Sequence, residues 1–268
     1  AKFVVAGFDI DANRVAALKS LGGMGLGSAE EVFRRCRHVI LSLPDSKHVH
    51  EVLQSAATAI QSTHVLIDTT TGSPDDATYQ WQRCTSLGAE YGDATILGSS
   101  AQVESGEALV IAGGSARFFQ ILQHLAAPWS RETIQLGICG SAARLKLVVN
   151  HVLGLQRLVL AEGLGLAKSC GIDLEIALQI LRKSPAAAQV METKGPQMLR
   201  GDFVPRARLK QHLKDVTLIE ALGQTCNARL PLAELHRTLL EEALQRGWGE
   251  LDNSAVFKLF SDGDKPAA

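Results

Sequence analysis

Two polar side chains interrupt an apolar helical stretch near the middle of the chain, at a spacing that could support catalysis. Lys146 and Asn150 are four residues apart, so in a helix both project from the same face. Leucine and valine fill the rest of that face. An ammonium group can exchange a proton with a substrate oxygen, and an amide can hold the substrate by hydrogen bonds. The pair could also be a lysine that extends to solvent beside a structural asparagine.

A second group of polar residues follows predicted strands, at the sheet edge where parallel sheets bind ligands. Asp9 ends the first apolar run. Its carboxylate could accept hydrogen bonds from the ribose hydroxyls of NAD and would repel the 2′-phosphate of NADP, or it could simply be solvated. Leu43-Pro44-Asp45 and the segment 68–74 follow two later runs. The hydroxyls of the latter could touch a ligand, although capping of the next helix is the commoner role.

The strands and helices that position these residues are predicted from two hydrophobic periodicities that alternate along the sequence. Short apolar runs rich in β-branched residues predict strands, and amphipathic stretches between them predict helices. The predicted strands are 3–9, 38–43, 64–68, 89–93, 108–112 and 133–137. The predicted helices between them are 12–21, one opening at Ser28 with Glu31 in a capping box, 49–60, 75–87 and 116–125. This alternation is typical of an α/β fold with a Rossmann-like, mostly parallel sheet.

The second half of the sequence has only helical periodicity. Helices are predicted over 145–169, 173–183, 186–199, 208–225, 233–246 and 253–259. We therefore expect a dinucleotide-binding domain over residues 1–140 and an all-helical domain over 141–268 for substrate binding and oligomerisation. The long apolar helix after residue 145 is expected to contribute to a dimer or tetramer interface.

The glycine-rich turn that opens a dinucleotide-binding sheet is not found at its expected place. The run from Gly22 to Gly27 spells GxGxG and lies between two helical patterns, which favours a loop with a helix C-cap over a phosphate cradle. Because the first strand is central in such a sheet, its loss would leave a gap lined by unpaired backbone groups. We therefore expect the sequence to be a shortened form of a longer one, as its opening alanine also suggests.

Composition argues against several functional classes. The chain has 27 Lys+Arg against 28 Asp+Glu, which gives no electrostatic reason to bind nucleic acid or a membrane surface. No stretch reaches the roughly 18 uninterrupted apolar residues of a membrane span, and the N-terminus has no signal-peptide pattern. Its five cysteines include no CxxC pair, so we expect reduced thiols and no metal site. The expectation is a cytoplasmic enzyme.

The order and spacing of these motifs resemble the β-hydroxyacid dehydrogenase family, which includes 3-hydroxyisobutyrate dehydrogenase and the glyoxylate/succinic semialdehyde reductases. The resemblance covers essentially the whole chain. It is carried by Gly7-Phe8-Asp9, Leu43-Pro44-Asp45-Ser46, residues 68–74, Asp93-Ala94, Gly140…Lys146…Asn150, Phe203, Lys214-Asp215 and Asp252-Asn253-Ser254-Ala255. It implies hydride transfer between a nicotinamide cofactor and a small 3-hydroxy acid or its semialdehyde. Asp9 favours NAD over NADP as that cofactor.

The resemblance also implies roles for individual residues. Lys146 would be the catalytic general acid and base, and Asn150 would hydrogen-bond the substrate. The implied cofactor-binding residues are Asp9, Leu43, Pro44, His48, Thr71 and Lys214. The family's substrate-binding Ser-Gly-Gly falls on Leu97-Gly98-Ser99, so the first hydroxyl is lost and Gly98 and Ser99 are the remaining candidates.

Two alternatives follow from the same residues. Imine reductases resemble this family but generally lack a lysine at the position of Lys146, so its presence favours alcohol and carbonyl chemistry. A non-catalytic oligomeric or partner-binding module that has lost the pyrophosphate-binding turn is the second alternative.

Overall fold

The computed structural model describes residues 3–261, and the chain divides into two compact units between Lys146 and Leu147. That division falls inside one long helix, six residues beyond the predicted domain boundary. The elements of the first unit are β1 (Ala6–Gly7), α1 (Ala12–Ser20), β2 (Met24–Gly25), α2 (Ala29–Arg35), β3 (His38–Leu41), α3 (Ser46–Ser55), β4 (Val65–Asp68), α4 (Pro74–Ser86), β5 (Glu90–Leu97), α5 (Ser100–Glu104), β6 (Ala108–Gly113), α6 (Ala116–Ala126) and β7 (Ser130–Gly137), with a short 3₁₀ turn at Ala57–Ala59.

The second unit is entirely helical within the part of the chain that the structure describes. Helix α7 (Ser141–Ser169) begins in the first unit and continues into the second. It is followed by α8 (Leu174–Lys183), α9 (Val190–Arg200), α10 (Leu209–Thr225), α11 (Pro231–Gln245), a 3₁₀ turn (Asn253–Phe257) and α12 (Lys258–Ser261). A core of leucine, valine and methionine side chains, including Leu164, Met198 and Leu240, holds these helices together.

Helix α7 is long and apolar enough, by length and composition alone, to cross a membrane. Only 39% of its most apolar window is buried inside the protein. The central helix of a soluble domain can satisfy the same two criteria, so the helix carries little weight as evidence for a membrane span.

The main sheet has five strands in the order β3-β4-β5-β6-β7. All neighbouring pairs are parallel except β5 and β6, which are antiparallel. A parallel crossover needs a dozen or more residues, whereas the link from Leu97 to Ala108 is shorter and holds only the five-residue α5. The sheet is therefore mostly parallel, as the sequence predicts.

The first strand differs from its prediction as a buried strand over residues 3–9. Only Ala6–Gly7 is a strand, and it pairs with β2 in a separate two-stranded sheet. Val4 is 92% exposed, and Phe3, Val5 and Phe8 are also exposed. Among the described residues β1 pairs only with β2, and β3 only with β4. The described strands therefore form two separate sheets, and the apolar run around β1 has little to pack against.

Candidate active site

Lys146 lies in the second turn of α7, and strand β5 positions both the helix and the lysine. Its Nζ donates a hydrogen bond to the carbonyl oxygen of Ile96 at 2.7 Å. Asp93, three residues earlier on β5, accepts hydrogen bonds from the N–H groups of Gly140 at 2.8 Å and Ala143 at 2.7 Å. These N–H groups would otherwise be unsatisfied at the start of the helix. One strand thus holds the helix end and the ammonium group that follows it.

The Asp93 carboxylate is buried, and two opposing influences act on its pKa. Burial raises the pKa, and the N–H groups of Ala143 and Gly140 lower it. The positive end of the α7 dipole also favours a carboxylate there. A Cβ at Gly113 would lie 2.6 Å from Asp93 Oδ1, so only glycine leaves room for this arrangement.

Hydrogen bonds join the loops that follow β3 and β4. The N–H of Leu43 donates to Thr70 Oγ1 at 3.2 Å, and the N–H of Ser73 donates to Ser46 Oγ at 2.9 Å. An added Cβ at Gly72 would clash with Ser46 Oγ, so a larger residue there would displace the hydroxyl to which Ser73 donates. Three of the predicted cofactor-binding residues lie on these joined loops, namely Leu43, Pro44 and Thr71, and a fourth, His48, lies in the first turn of α3.

His48 is held by the residue that caps its helix. Asp45 Oδ1 accepts the N–H of His48 at 3.0 Å, and His48 Nδ1 lies 2.6 Å from the same oxygen. The histidine side chain is 46% exposed. The ring is therefore oriented by Asp45 and still accessible to a ligand.

Beneath these loops is a small polar cavity lined by residues that include Asp68, Gln80, Tyr91 and Asp93. The Tyr91 hydroxyl donates a hydrogen bond to Asp68 Oδ2 at 2.6 Å. Burial raises the pKa of both groups, and the Asp68 charge raises that of Tyr91 further. Gln80 Oε1 accepts no hydrogen bond from the described residues. A bound water molecule would satisfy this oxygen.

Gly98 and Ser99 lie on the loop that follows Ile96, and both are exposed. The N–H of Ser99 donates to Gln102 Oε1 at 2.9 Å, and Ser99 Oγ accepts the N–H of Gln102 at 3.3 Å. This capping box engages the amide and the hydroxyl of Ser99 at the start of α5. A substrate would have to compete with Gln102 for both groups.

In the second unit, Asn150 and Lys214 meet at one carboxylate. Asn150 Nδ2 donates to Asp215 Oδ2 at 3.0 Å, and Lys214 Nζ lies 3.2 Å from Asp215 Oδ1. Asn150 lies on α7, whereas Lys214 and Asp215 are neighbours on α10. Packing of the two helices therefore brings together two of the predicted site residues through a third, Asp215.

Among the described residues, candidates to contact the ribose and nicotinamide ends of a dinucleotide are easier to identify than a turn that would hold its central pyrophosphate. Asp9 follows β1 and keeps an accessible carboxylate, although Asp9 Oδ1 accepts the N–H of Asp11 and Asp9 Oδ2 lies 3.8 Å from Arg14 Nε. The glycine-rich segment 22–27, which the sequence predicts as a loop between two helices, contains β2 (Met24–Gly25) between α1 and α2. Added Cβ atoms at Gly23 and Gly25 would clash with α1 side chains, so these glycines serve packing. Such close packing against α1 does not suit a loop that cradles a pyrophosphate.

Asp93 and Asp215 are the two residues whose positions the sequence does not single out. Both belong to motifs that carry the resemblance, but neither spacing nor residue type shows what they bind. Asp93 contacts a helix start about 50 residues later, and Asp215 contacts Asn150 across 65 residues. The position of an acid at the end of a predicted strand is the signal that could have drawn attention to Asp93.

Both halves of the chain match models of known protein families. Residues 1–137 match a family model described as the NAD binding domain of 6-phosphogluconate dehydrogenase. Residues 140–260 match one described as the NAD-binding domain of NADP-dependent 3-hydroxyisobutyrate dehydrogenase.

Individual relatives are distant but cover most of the chain. The 2-(hydroxymethyl)glutarate dehydrogenase of Eubacterium barkeri is 26% identical over 96% of this chain and 86% of its own length. Glyoxylate/succinic semialdehyde reductase 1 of Arabidopsis thaliana is 26% identical over 86% of this chain and 81% of its own. The crystal structure of 3-hydroxyisobutyrate dehydrogenase from Salmonella typhimurium superposes with a TM-score of 0.88 at 24% identity, covering 95% of this chain and 90% of that one.

Proposed function

Because the chain belongs to the β-hydroxyacid dehydrogenase family, we propose that it transfers a hydride between a nicotinamide cofactor and a small 3-hydroxy acid or its semialdehyde. Its relatives support NAD(P)-dependent hydroxyacid dehydrogenation in general. The observation that carries the finer proposal is the placement of Lys146, whose ammonium is fixed on Ile96 one helical turn before Asn150.

In this proposal Lys146 moves the proton and Asn150 orients the substrate. Lys146 Nζ protonates the carbonyl oxygen in reduction and accepts the hydroxyl proton in oxidation. Its hydrogen bond to the Ile96 carbonyl fixes the direction of Nζ, and an ammonium group is the kind of donor that a substrate oxygen can accept from. Asn150 supplies a hydrogen bond from the next turn of the same helix. Gly98 and Ser99 lie on the loop beside Ile96, where they would contact the substrate.

The cofactor supplies the hydride, and we propose that it is NAD in preference to NADP. The accessible Asp9 carboxylate supports this choice, because it can accept hydrogen bonds from ribose hydroxyls and would repel a phosphate. Further contacts to the cofactor would come from Leu43, Pro44 and Thr71, on two loops that hydrogen bonds join, and from His48 in the first turn of α3. Lys214 is proposed as a further cofactor-binding residue.

A non-catalytic module is the weaker alternative. The packing role of the glycines in segment 22–27 agrees with it. Relatives that cover 86–97% of this chain are named as dehydrogenases or as a reductase, which does not favour it. For an enzyme of this kind we propose a cytoplasmic location and a homo-oligomeric state.

Replacement of Lys146 by alanine tests the proposal. General acid–base catalysis contributes about 10²–10⁴-fold, so Lys146→Ala should lower kcat by about that factor while the calorimetric affinity for NADH stays nearly unchanged. Lys168→Ala is the matched control, because Lys168 also lies on α7 and also donates to a backbone carbonyl, that of Ser261. Unchanged turnover of Lys146→Ala on a panel of semialdehydes would contradict the role of Lys146.

A further inference from the structure

The carboxylate of Asp215 links the side chains that the proposed function assigns to substrate and to cofactor, and we propose that Asp215 is the positioning residue for both. This inference rests on the proposed function. The Asp215 side chain is only 13% exposed, and its two oxygens face different partners. Oδ2 accepts from Asn150 Nδ2 at 3.0 Å, and Oδ1 lies 3.2 Å from Lys214 Nζ.

The contact with Asp215 fixes which way the Asn150 amide points. An amide can be turned by a half rotation of its terminal bond, which exchanges its donor and acceptor ends. A carboxylate only accepts hydrogen bonds, so Nδ2 must face Asp215 and Oδ1 must point elsewhere. A substrate that reaches Asn150 therefore meets a carbonyl oxygen and one remaining N–H in a defined direction. Without Asp215 the amide would sample both orientations.

Asp215 also restrains the Lys214 ammonium. Neighbouring residues on a helix do not normally face each other, so the Lys214 side chain must turn back to meet Asp215. A lysine has four rotatable side-chain bonds, and holding its head group in advance lowers the entropy cost of binding a ligand there. The Asp215 carboxylate on α10 thus restrains both the Asn150 amide on α7 and the Lys214 ammonium on α10.

Positive charge and a hydrogen-bond donor lie close to the Asp215 carboxylate. Arg157 lies seven residues after Asn150 on α7, hence on the same face, and is 5% exposed. Its positive charge interacts with that of Asp215. A buried carboxylate is costly unless charged and hydrogen-bonded partners compensate for its desolvation, and here Lys214, Asn150 and Arg157 do so.

The test compares two replacements of Asp215 with a control on the same helix. Asp215→Leu removes both the acceptor and the charge, and Asp215→Asn keeps an acceptor for Asn150 without the charge. Glu220→Gln is the control, because Glu220 is a partly buried α10 carboxylate that pairs with Arg237 at 2.8 Å and does not contact Asn150. All variants are checked by circular dichroism, and kinetic constants are given per folded molecule.

We expect Asp215→Leu to raise KM and to lower kcat/KM by about tenfold or more, the usual effect of losing a hydrogen bond to a charged group. Asp215→Asn should fall between Asp215→Leu and the wild type, and Glu220→Gln should match the wild type. A purely structural role would reduce the folded fraction and leave kcat and KM of the folded protein unchanged. That result would overturn the inference.

A second readout does not depend on activity. The side-chain amide resonances of Asn150 in a ¹⁵N–¹H NMR spectrum are identified by their loss in Asn150→Ser. We expect them to shift and to exchange faster with water in Asp215→Leu, and to keep their wild-type positions in Glu220→Gln. Unchanged resonances in Asp215→Leu would overturn the inference, whereas an inactive wild type with these shifts present would contradict only the proposed function.

Discussion

At the residue scale, the choice between the two nicotinamide cofactors depends on Asp9. Asp9→Ser removes the carboxylate and leaves Arg14, whose Nε lies 3.8 Å from Asp9 Oδ2, without this partner. The variant should bind NADPH more tightly and NADH more weakly, because repulsion of the 2′-phosphate is gone and Arg14 loses Asp9, one of its two acidic partners, while it keeps Asp11 at 3.9 Å.

Calorimetric titration with NADH and NADPH measures this change in preference. Asp11→Asn is the control, because it removes an acid from the same loop and keeps an acceptor at the N-cap of α1. An Asp9→Ser preference equal to that of the wild type would show that Asp9 does not select the cofactor.

Two buried histidines should make the helical unit sensitive to acid. His236 and His212 pack with ring centroids 5.0 Å apart against Gly154, where an added Cβ would clash with both rings. Burial and the nearby Arg157 charge lower the pKa of His236 from 6.5 to about 4 and lower that of His212 well below 6.5. The unfolded chain therefore binds more protons than the folded one below pH 6.5.

The free energy of unfolding should consequently fall as the pH drops from about 6.5 towards 4. His236 alone accounts for about 3 kcal/mol of this loss, and His212 adds to it. Urea titrations at several pH values measure the slope. His236→Gln should flatten it, whereas His124→Gln, at an exposed histidine of the first unit, should leave it unchanged. Equal slopes in the wild type and His236→Gln would contradict the argument.

At the element scale, the contact between β5 and α7 fixes the start of the helix that carries Lys146. Asp93→Ala would leave the N–H groups of Gly140 and Ala143 without an acceptor. We expect a loss of about 2 kcal/mol or more in stability, since hydrogen bonds to a charged group are lost in the interior. We also expect a lower kcat, because the first turns of α7 carry Lys146.

Thermal unfolding and steady-state kinetics check the Asp93→Ala prediction. Asp75→Asn provides the comparison, since this α4 acid is 76% exposed and also lies in the first turn of a helix. If Asp93→Ala melted like Asp75→Asn, the carboxylate would not be what anchors α7.

The contact between β5 and α7 also shows which features of the fold can be predicted from the sequence. Local signals were more reliable where both partners are near in sequence. The hydroxyl of Ser28 accepts the N–H of Glu31 at 3.2 Å as predicted, although the Glu31 carboxylate accepts the N–H of Gly27 and not that of Ser28. The start of α7 is predicted at Leu145 and found at Ser141, because the acceptors that extend it come from Asp93. The hydrogen-bond partner of Lys146 could not be predicted either. It is the backbone carbonyl of Ile96, 50 residues away, and every residue type has such a carbonyl. The prediction of a buried strand over residues 3–9 was wrong for the opposite reason. These residues have the apolar pattern of a strand, but β1 lacks a second neighbouring strand.

At the scale of the whole molecule, an exposed apolar stripe bears on the proposed oligomer. Val148, Val152, Val159 and Leu166 recur at intervals of four and seven along α7 and are each half or more exposed. Exposed apolar patches of this kind often mark interaction surfaces. If copies of the chain associate through it, Val159→Glu should lower the molar mass seen by light scattering.

A charge placed elsewhere serves as the control for that experiment. Thr217→Glu adds the same charge to an exposed position of α10, outside the stripe, and should leave the mass unchanged. A Val159→Glu protein with the wild-type mass would exclude the stripe as the contact surface.

The position of Lys146 and Asn150 on one uninterrupted helix limits how this protein can change in evolution. An α-helix turns by about 100° for each residue, so substitutions at positions 147–149 leave the two side chains on one face. One inserted or deleted residue between them would turn Asn150 away from the face of Lys146 and carry Gly154 and Arg157 with it. Variation in length should therefore accumulate in the loops of descendants of this chain, whereas the register of α7 is inherited unchanged.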